Sequence, residues 1–309
     1  MHSITDFKSF YQTTLQPNLV ELETSRKAIA SKIKLYGLMG IGIGLAFMAF
    51  KISAWPLILA GVGLFFFYQY HAKQYRHSYK TKIVAAIAQA HGLSYNHLAC
   101  ISRGDYDRSK IFTTRPDRYW GDDLLTGTVD KTGIRFSELH TQYRSGGKNK
   151  SYHTIFRGIF FIADFNKHFI GETFVLPDVS ENVFGSTLGG FFQKMNMMRP
   201  QLIKLEDVEF EKNFAIYGTD QVEARYILSP ALMQRILNLK RKFNTQVALS
   251  FIGSHVYIAI TINKNLFEAP WLFSTADNFN QLEEFHTYLM RFVEIVEILD
   301  LNTRIWTKE

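Results

Sequence analysis

Two pairs of residues, His97 with Cys100 and Asp122 with Asp123, carry much of what this sequence could do chemically. His97 and Cys100 lie three apart, a spacing that on a helix brings imidazole and thiol to one face. Structural zinc takes four ligands and Cys100 is the sole cysteine, so a small buried thiol beside an exposed imidazole is the plainer reading, and no metal is expected. A cysteine nucleophile would need a base and an oxyanion donor placed in space, which spacing neither shows nor forbids. Asp122 and Asp123, near Asp117 and between Gly121 and Gly127, could offer carboxylates to a divalent cation. Adjacent strand residues point to opposite faces, so both could ligate only from a loop, and a turn cap is the commoner use. His140 and His153 join Asp122 and Asp123 as the titratable residues an enzyme would draw on.

Charged residues of a second kind cluster in two segments. Arg157, Asp164 and Asn166 follow one another on and after a predicted strand, and Asp220, Glu223 and Arg225 lie before and on another. With residues 222–228 as a strand, Glu223 and Arg225 share one face while Ala224, Tyr226 and Leu228 take the other. They read as a structural ion pair or, alternatively, as an exposed recognition pair, and Arg157, Asp164 and Asn166 admit the same two readings. Glu206, Asp207, Glu209 and Glu211, between Lys204 and Lys212, read as a solvated acidic strand or loop. The run Gly185-Ser186-Thr187-Leu188-Gly189-Gly190 lacks the Lys-Ser or Lys-Thr of a phosphate loop and has no βαβ unit around it.

The elements that must position these residues fall into two textures. Residues 35–50 and 52–70 are uncharged runs broken by Lys51; the second, at about 1.5 Å per residue, spans roughly 28 Å, close to a bilayer's hydrocarbon thickness. They predict a transmembrane hairpin, with Pro56 in the first turn of its second helix and Trp55 at the interface. Arg26, Lys27, Lys32 and Lys34 precede it and Lys73, Arg76, Lys80 and Lys82 follow, against Lys51 alone in the turn, so both flanks are expected in the cytoplasm. Gly40 and Gly44 allow close helix approach, within the hairpin or between copies of the chain. Neither run has a charged residue at its middle that would line an ion path.

Residues 1–34, with apolar positions three and four apart from Phe7 to Ile29, read as an amphipathic helix, and residues 71–102 as a juxtamembrane helix stopping at Gly92. Residues 103–309 then alternate strand and turn signals: strands at 124–129, 134–143, 154–163, 169–176, 214–217, 222–228, 247–252 and 256–262. Helices are expected after Ser229-Pro230 and over 279–299, with a loop at 144–151 and an irregular stretch at 178–200. The order predicts an α+β fold, an antiparallel sheet with helices packed on it. Ten of the 35 Lys and Arg but three of the 28 Asp and Glu precede Ile83, so the excess positive charge belongs to the membrane-flanking part. The rest is charge-balanced, which argues against a nucleic-acid partner.

Two stretches carry a family resemblance: Phe156-Arg157-Gly158-Ile159-Phe160-Phe161 with Asp164-Phe165-Asn166-Lys167, and Glu209-Phe210-Glu211-Lys212-Asn213-Phe214 with the run from Asp220 to Pro230. The chain resembles a bacterial membrane family catalogued as domain of unknown function 3137, sometimes labelled galanin-like. The resemblance implies an inner-membrane location and, from gene neighbourhood, a LemA-like helical membrane protein as a partner; it implies no catalytic residues and no cofactor. The expectation is a membrane-tethered interaction or scaffold module recognising a protein or lipid headgroups. An enzyme acting on a membrane-proximal substrate is the alternative, and an accessory subunit of a transport complex the third.

Overall fold

A computed structural model describes residues 7–50, 55–146, 150–165, 167–178 and 199–301. Asn166, residues 147–149 of the expected loop, and residues 179–198 with their glycine run lie outside the described residues. The chain divides into two units, one helical (2–90 with 267–287) and one built on a sheet (91–266 with 288–309).

In the helical unit, helix α1 runs Phe7–Ala49, passing through a π-helical turn at Tyr11–Leu15. Helix α2, Trp55–Tyr79, continues through a second π turn, Lys80–Val84, into α3, Ala85–Ala90. Phe7, Leu15, Leu19, Leu22, Ala30 and Ile33 form the buried stripe of α1, the amphipathic face its spacing predicted. Beyond Lys34 the pattern inverts, and Leu38, Ile41, Leu45 and Met48 stand exposed. Gly37, Gly40 and Gly44 face α2: a Cβ at Gly44 would lie 1.9 Å from Leu57 Cδ1, and at Gly40 3.4 Å from Ala60. Glu21 and Lys82 join the basal parts of the two at 2.7 Å.

By length and composition one described helix, α1, is apolar enough to cross a membrane. That corrects the expectation of two spans. The exposed apolar stretch of α2 is followed within a turn by Gln69, His71, Lys73 and Gln74, which dilute it.

Among the described residues the sheet unit holds nine strands in the order β1-β2-β3-β4-β9-β8-β5-β7-β6, every neighbour antiparallel. They are β1 Leu93–Asn96, β2 Arg118–Val129, β3 Thr132–Arg144, β4 Tyr152–Asp164, β5 Thr173–Pro177, β6 Gln201–Ile203, β7 Phe214–Gly218, β8 Val247–Ile252 and β9 His255–Thr261. The mixed helix and antiparallel sheet is the predicted α+β class. One face buries Leu139, Phe156, Phe160, Tyr257 and Ala259 under Tyr106 and Phe112, beside the short helix α4, Arg103–Arg108. On the other face Phe136, Phe161, Ile258 and Leu249 are buried, and Phe136 meets Phe292 of helix α8, Phe279–Ile298, at 5.2 Å.

Three predicted elements change type. Residues 222–228 are not a strand: helix α6, Gln221–Ile227, with Leu228 as its C-cap, is started by Asp220, whose Oδ1 accepts the Val222 and Glu223 N–H groups at 2.8 and 3.0 Å. An Asp cap outweighs the β-branched and aromatic residues that suggested a strand. The acidic run 206–211 forms α5, Val208–Asn213, with Asp207 as its cap, rather than a strand or loop. His97 and Cys100 lie after β1 in a turn and an irregular stretch, not on a helix. Helix α7, Pro230–Phe243, starts on its Ser229 cap as its sequence predicts.

Candidate functional site

The face of β3 that begins with buried Ile134 and Phe136 continues with half-buried Glu138, His140 and Gln142. Strand alternation puts all five on one side, so the face turns from core to polar surface partway along the strand. The neighbouring strands turn with it, because Trp120 pairs with His140 and His140 with Arg157, while Asp122 pairs with Glu138. A cleft of about 700 Å³ opens there, bounded by these residues, Arg118 and the segment Ile262 to Leu266.

That segment is fastened at both ends. The Ile262 N–H donates to the Arg157 carbonyl at 3.1 Å, and the Leu266 N–H to Glu138 Oε1 at 2.7 Å. Arg157 donates from Nη2 to Asn265 Oδ1 at 3.1 Å, which fixes its guanidinium on the cleft wall. His140 Nε2 lies 3.1 Å from Thr154 Oγ1 and 3.3 Å from Gln142 Nε2. Burial, and then the Arg157 charge, lower its pKa from the ordinary 6.5, so the imidazole is neutral at pH 7. Arg118 lies over the Tyr152 ring at 3.4 Å and 5.5 Å from the centre of Trp120, whose own ring is 5.5 Å from His140. Trp120 is 46 % exposed, an aromatic surface at the cleft edge.

Two glycines allow strands and loop to close up. A Cβ at Gly121 would sit 2.4 Å from the Glu138 carbonyl and 2.7 Å from Cys100 Cβ. Gly158 has φ +152°, and its Cβ would meet the Ile260 carbonyl at 2.1 Å, so no other residue fits there without backbone movement.

The cleft gathers three of the residues singled out in the sequence, Asp122, His140 and Arg157. Asp123 is not in the cleft lining, although its carboxylate lies within 4.8 Å of that of Asp122. It is buried with φ +57° at the register shift between Asp122 and Leu125, and Tyr95 donates its hydroxyl to the carboxylate. It thus pins a bulge. His153 is exposed at the β3–β4 hairpin end, stacked on Tyr143 and 2.8 Å from Ser151 Oγ. Asp164 ends β4 opposite His255. Glu223 accepts the Ile170 and Gly171 N–H groups at 3.1 and 2.6 Å, while Arg225 reaches the Lys204 carbonyl at 3.3 Å, so the two are not paired with each other. Residues two apart on a helix diverge by about 200°, which corrects their expected shared face. Cys100 packs against Gly121, and burial, then Asp122, raises its thiol pKa, which makes it a poor nucleophile.

Arg118, Trp120, Glu138, Gln142, Lys264 and Asn265 went unnoticed in the sequence. For the first four the signal was present as Arg-x-Trp-x-Asp and Glu-x-His-x-Gln, polar residues two apart along a strand.

No curated protein matches the chain. Among solved structures, the crystal structure of the mycobacterial trehalose monomycolate transport factor A, TtfA, is similar at 10% identity and a TM-score of 0.36, covering 72% of this chain and 93% of that one. A likeness that low carries no argument. Residues 154–301 match the family model described as protein of unknown function (DUF3137), a span that takes in Arg157 and the Ile262 to Leu266 segment of the cleft. Over those residues the chain is similar to that family.

Proposed function

We propose that this chain is a membrane-anchored binding module whose ligand or partner engages the β2–β3–β4 cleft. The observation that carries the reading is the change of one continuous sheet face from core to a concave polar surface, with an exposed tryptophan at its rim. Solvated strand faces are polar; a cleft with Arg118, Arg157 and Lys264 on its walls, Asp122 and Glu138 between them, and Trp120 at its edge has the makeup of a recognition site. In this reading α1 inserts, with its basic flank of Arg26, Lys27, Lys32 and Lys34 in the cytoplasm. The inner membrane of a bacterium and a LemA-like partner are what the family resemblance adds.

The test is affinity purification of the full chain in mild detergent, with single variants compared side by side. Trp120→Ala and Arg157→Ala are expected to lose a co-purifying partner that His153→Ala and Arg225→Glu retain. Retention by both cleft variants would refute the cleft as the contact surface. A second reading, an enzyme using Asp122 and neutral His140, is favoured by their lining the same cleft. It predicts that Asp122→Ala and His140→Ala abolish a cellular phenotype while leaving association intact.

A further inference from the structure

Along α2 the exposed apolar side chains run from Leu57 through Ile58, Leu59, Val62, Phe65 and Phe66 to Tyr70. One turn later Ala72, Tyr75 and Tyr79 are buried, and Lys73 and Arg76 mark the polar side. The same transition occurs on α1, where Arg26, Ala30 and Ile33 are buried and Leu35 onward is bare. Part of the cover below that level comes from residues 267–287. Arg26 Nη1 donates to the Leu272 carbonyl at 2.8 Å, and the Ala276 N–H donates to Glu23 at 2.9 Å.

The edge of this cover is aromatic. Leu272 is buried, and a turn in which the Ser274 N–H and Oγ both bond to the Trp271 carbonyl at 2.8 Å turns Trp271 outward, 63 % exposed. Trp271 Nε1 donates to Tyr68 Oη at 3.1 Å, Phe273 lies parallel to Tyr68 at 6.2 Å, and Trp271 meets Phe273 edge-on at 4.9 Å. The Trp271 ring is therefore held level with Tyr68 and Tyr70, between the bare apolar stretch of α2 and its basic continuation.

We propose that the turn Trp271-Leu272-Phe273 is a second membrane contact of this chain, with the Trp271 indole lying in the headgroup layer of the bilayer that α1 enters. An indole with an apolar body and one polar N–H favours that layer, as tryptophan and tyrosine do at membrane boundaries generally. The partner is a lipid surface because the indole is joined by a hydrogen bond to α2 at the level where the exposed apolar surface of that helix ends. The inference rests on the anchoring reading above.

The experiment uses the full chain in vesicles of phosphatidylcholine and phosphatidylglycerol, with Trp55, Trp120 and Trp306 replaced by Phe so that Trp271 alone emits. Lipids brominated near the glycerol are expected to remove more of its emission than lipids brominated near the chain ends, and the emission should be shifted to the blue. If the triple replacement does not fold, the difference between parent and Trp271→Phe in the same vesicles gives the same reading. Flotation of the vesicles after alkaline extraction separates the two hypotheses. Protein that floats while Trp271 escapes both quenchers overturns the second contact and leaves the anchoring intact. Protein that does not float overturns both.

Discussion

Replacing Glu223 tests the helical reading of the segment around it more sharply than any other change. Its carboxylate, 10 % exposed, accepts two backbone N–H groups, those of Ile170 and Gly171, and lies 3.8 Å from Lys167 Nζ. Glu223→Ala leaves both donors without that acceptor. Hydrogen bonds to a charged group are worth about 1.5–3 kcal/mol each, but Ile170 is 94 % exposed and its N–H can turn to water, so Gly171 dominates. The Lys167 contact adds a few tenths of a kcal/mol at most, which leaves a loss of about 2–3 kcal/mol. For a domain of this size that is a drop of about 5–10 °C in melting temperature, at about 2–4 °C per kcal/mol. Glu223→Gln keeps one acceptor and should lose roughly half as much. Arg225→Glu is the contrast: on a strand it would place two like charges on one face, whereas on α6 it points away from Glu223 and costs under about 1 kcal/mol. Tryptophan-fluorescence melts of the full chain in mild detergent would measure all three. Arg225→Glu melting below Glu223→Ala would refute the reasoning.

Gly158→Ala should cost more than a typical core truncation, because the added Cβ collides with the Ile260 carbonyl and the backbone sits at φ +152°; reduced yield and a melt well below the parent are the expected result. His140 has its pKa lowered by burial and then by Arg157, so the unfolded chain takes up its proton first. Stability should therefore be full above 6.5 and fall as pH drops from 6.5 toward the folded value. In melts between pH 7.5 and 5.5, His140→Gln should reduce that slope without abolishing it, because burial lowers His255 and His286 in the same direction. Deleting residues 1–82 removes the Arg26, Glu23 and Tyr11 partners of Leu272, Ala276 and Asp277. The truncated protein is expected to aggregate, which gel filtration reads directly, and a monodisperse product would show that residues 267–287 hold their shape alone.

What the sequence disclosed follows from how local each signal was. Strands β8 and β9 and helix α7 were legible because a short turn joins the first two and a Ser-Pro pair starts the third, and neither depends on distant residues. The segment from Asp220 was misread because Val222, Tyr226 and Ile227 favour strands by composition, while the decisive contact is a single side-chain oxygen of Asp220. Strand β1, α4 and β6 were missed, being four, six and three residues long, too short for any period to emerge. The cleft was half visible. Asp122, His140 and Arg157 stood out as titratable or motif residues, whereas Arg118 and Glu138 look like ordinary surface charges until register sets them on one wall.

The two adjacent aspartates show why the sequence could not divide their roles. Up to Asp122, β2 pairs regularly with β3, and it resumes at Leu125 opposite Phe136, so two residues intervene on β2 where one does on β3. With that extra residue in a regular strand, alternation would send Leu125 to the face opposite Asp122, away from the Phe136 and Phe161 core. Asp123 supplies the left-handed turn that absorbs it, a conformation that Asp and Asn adopt more readily than other side-chain-bearing residues, and Tyr95 of β1 holds its carboxylate. Leu125 can then join the core while Asp122, on the same face, stays in the cleft. One aspartate shapes the strand so that the other can serve the site. Asp123→Asn should therefore be tolerated far better than Asp123→Val, whose branched side chain resists positive φ, although both remove the same charge.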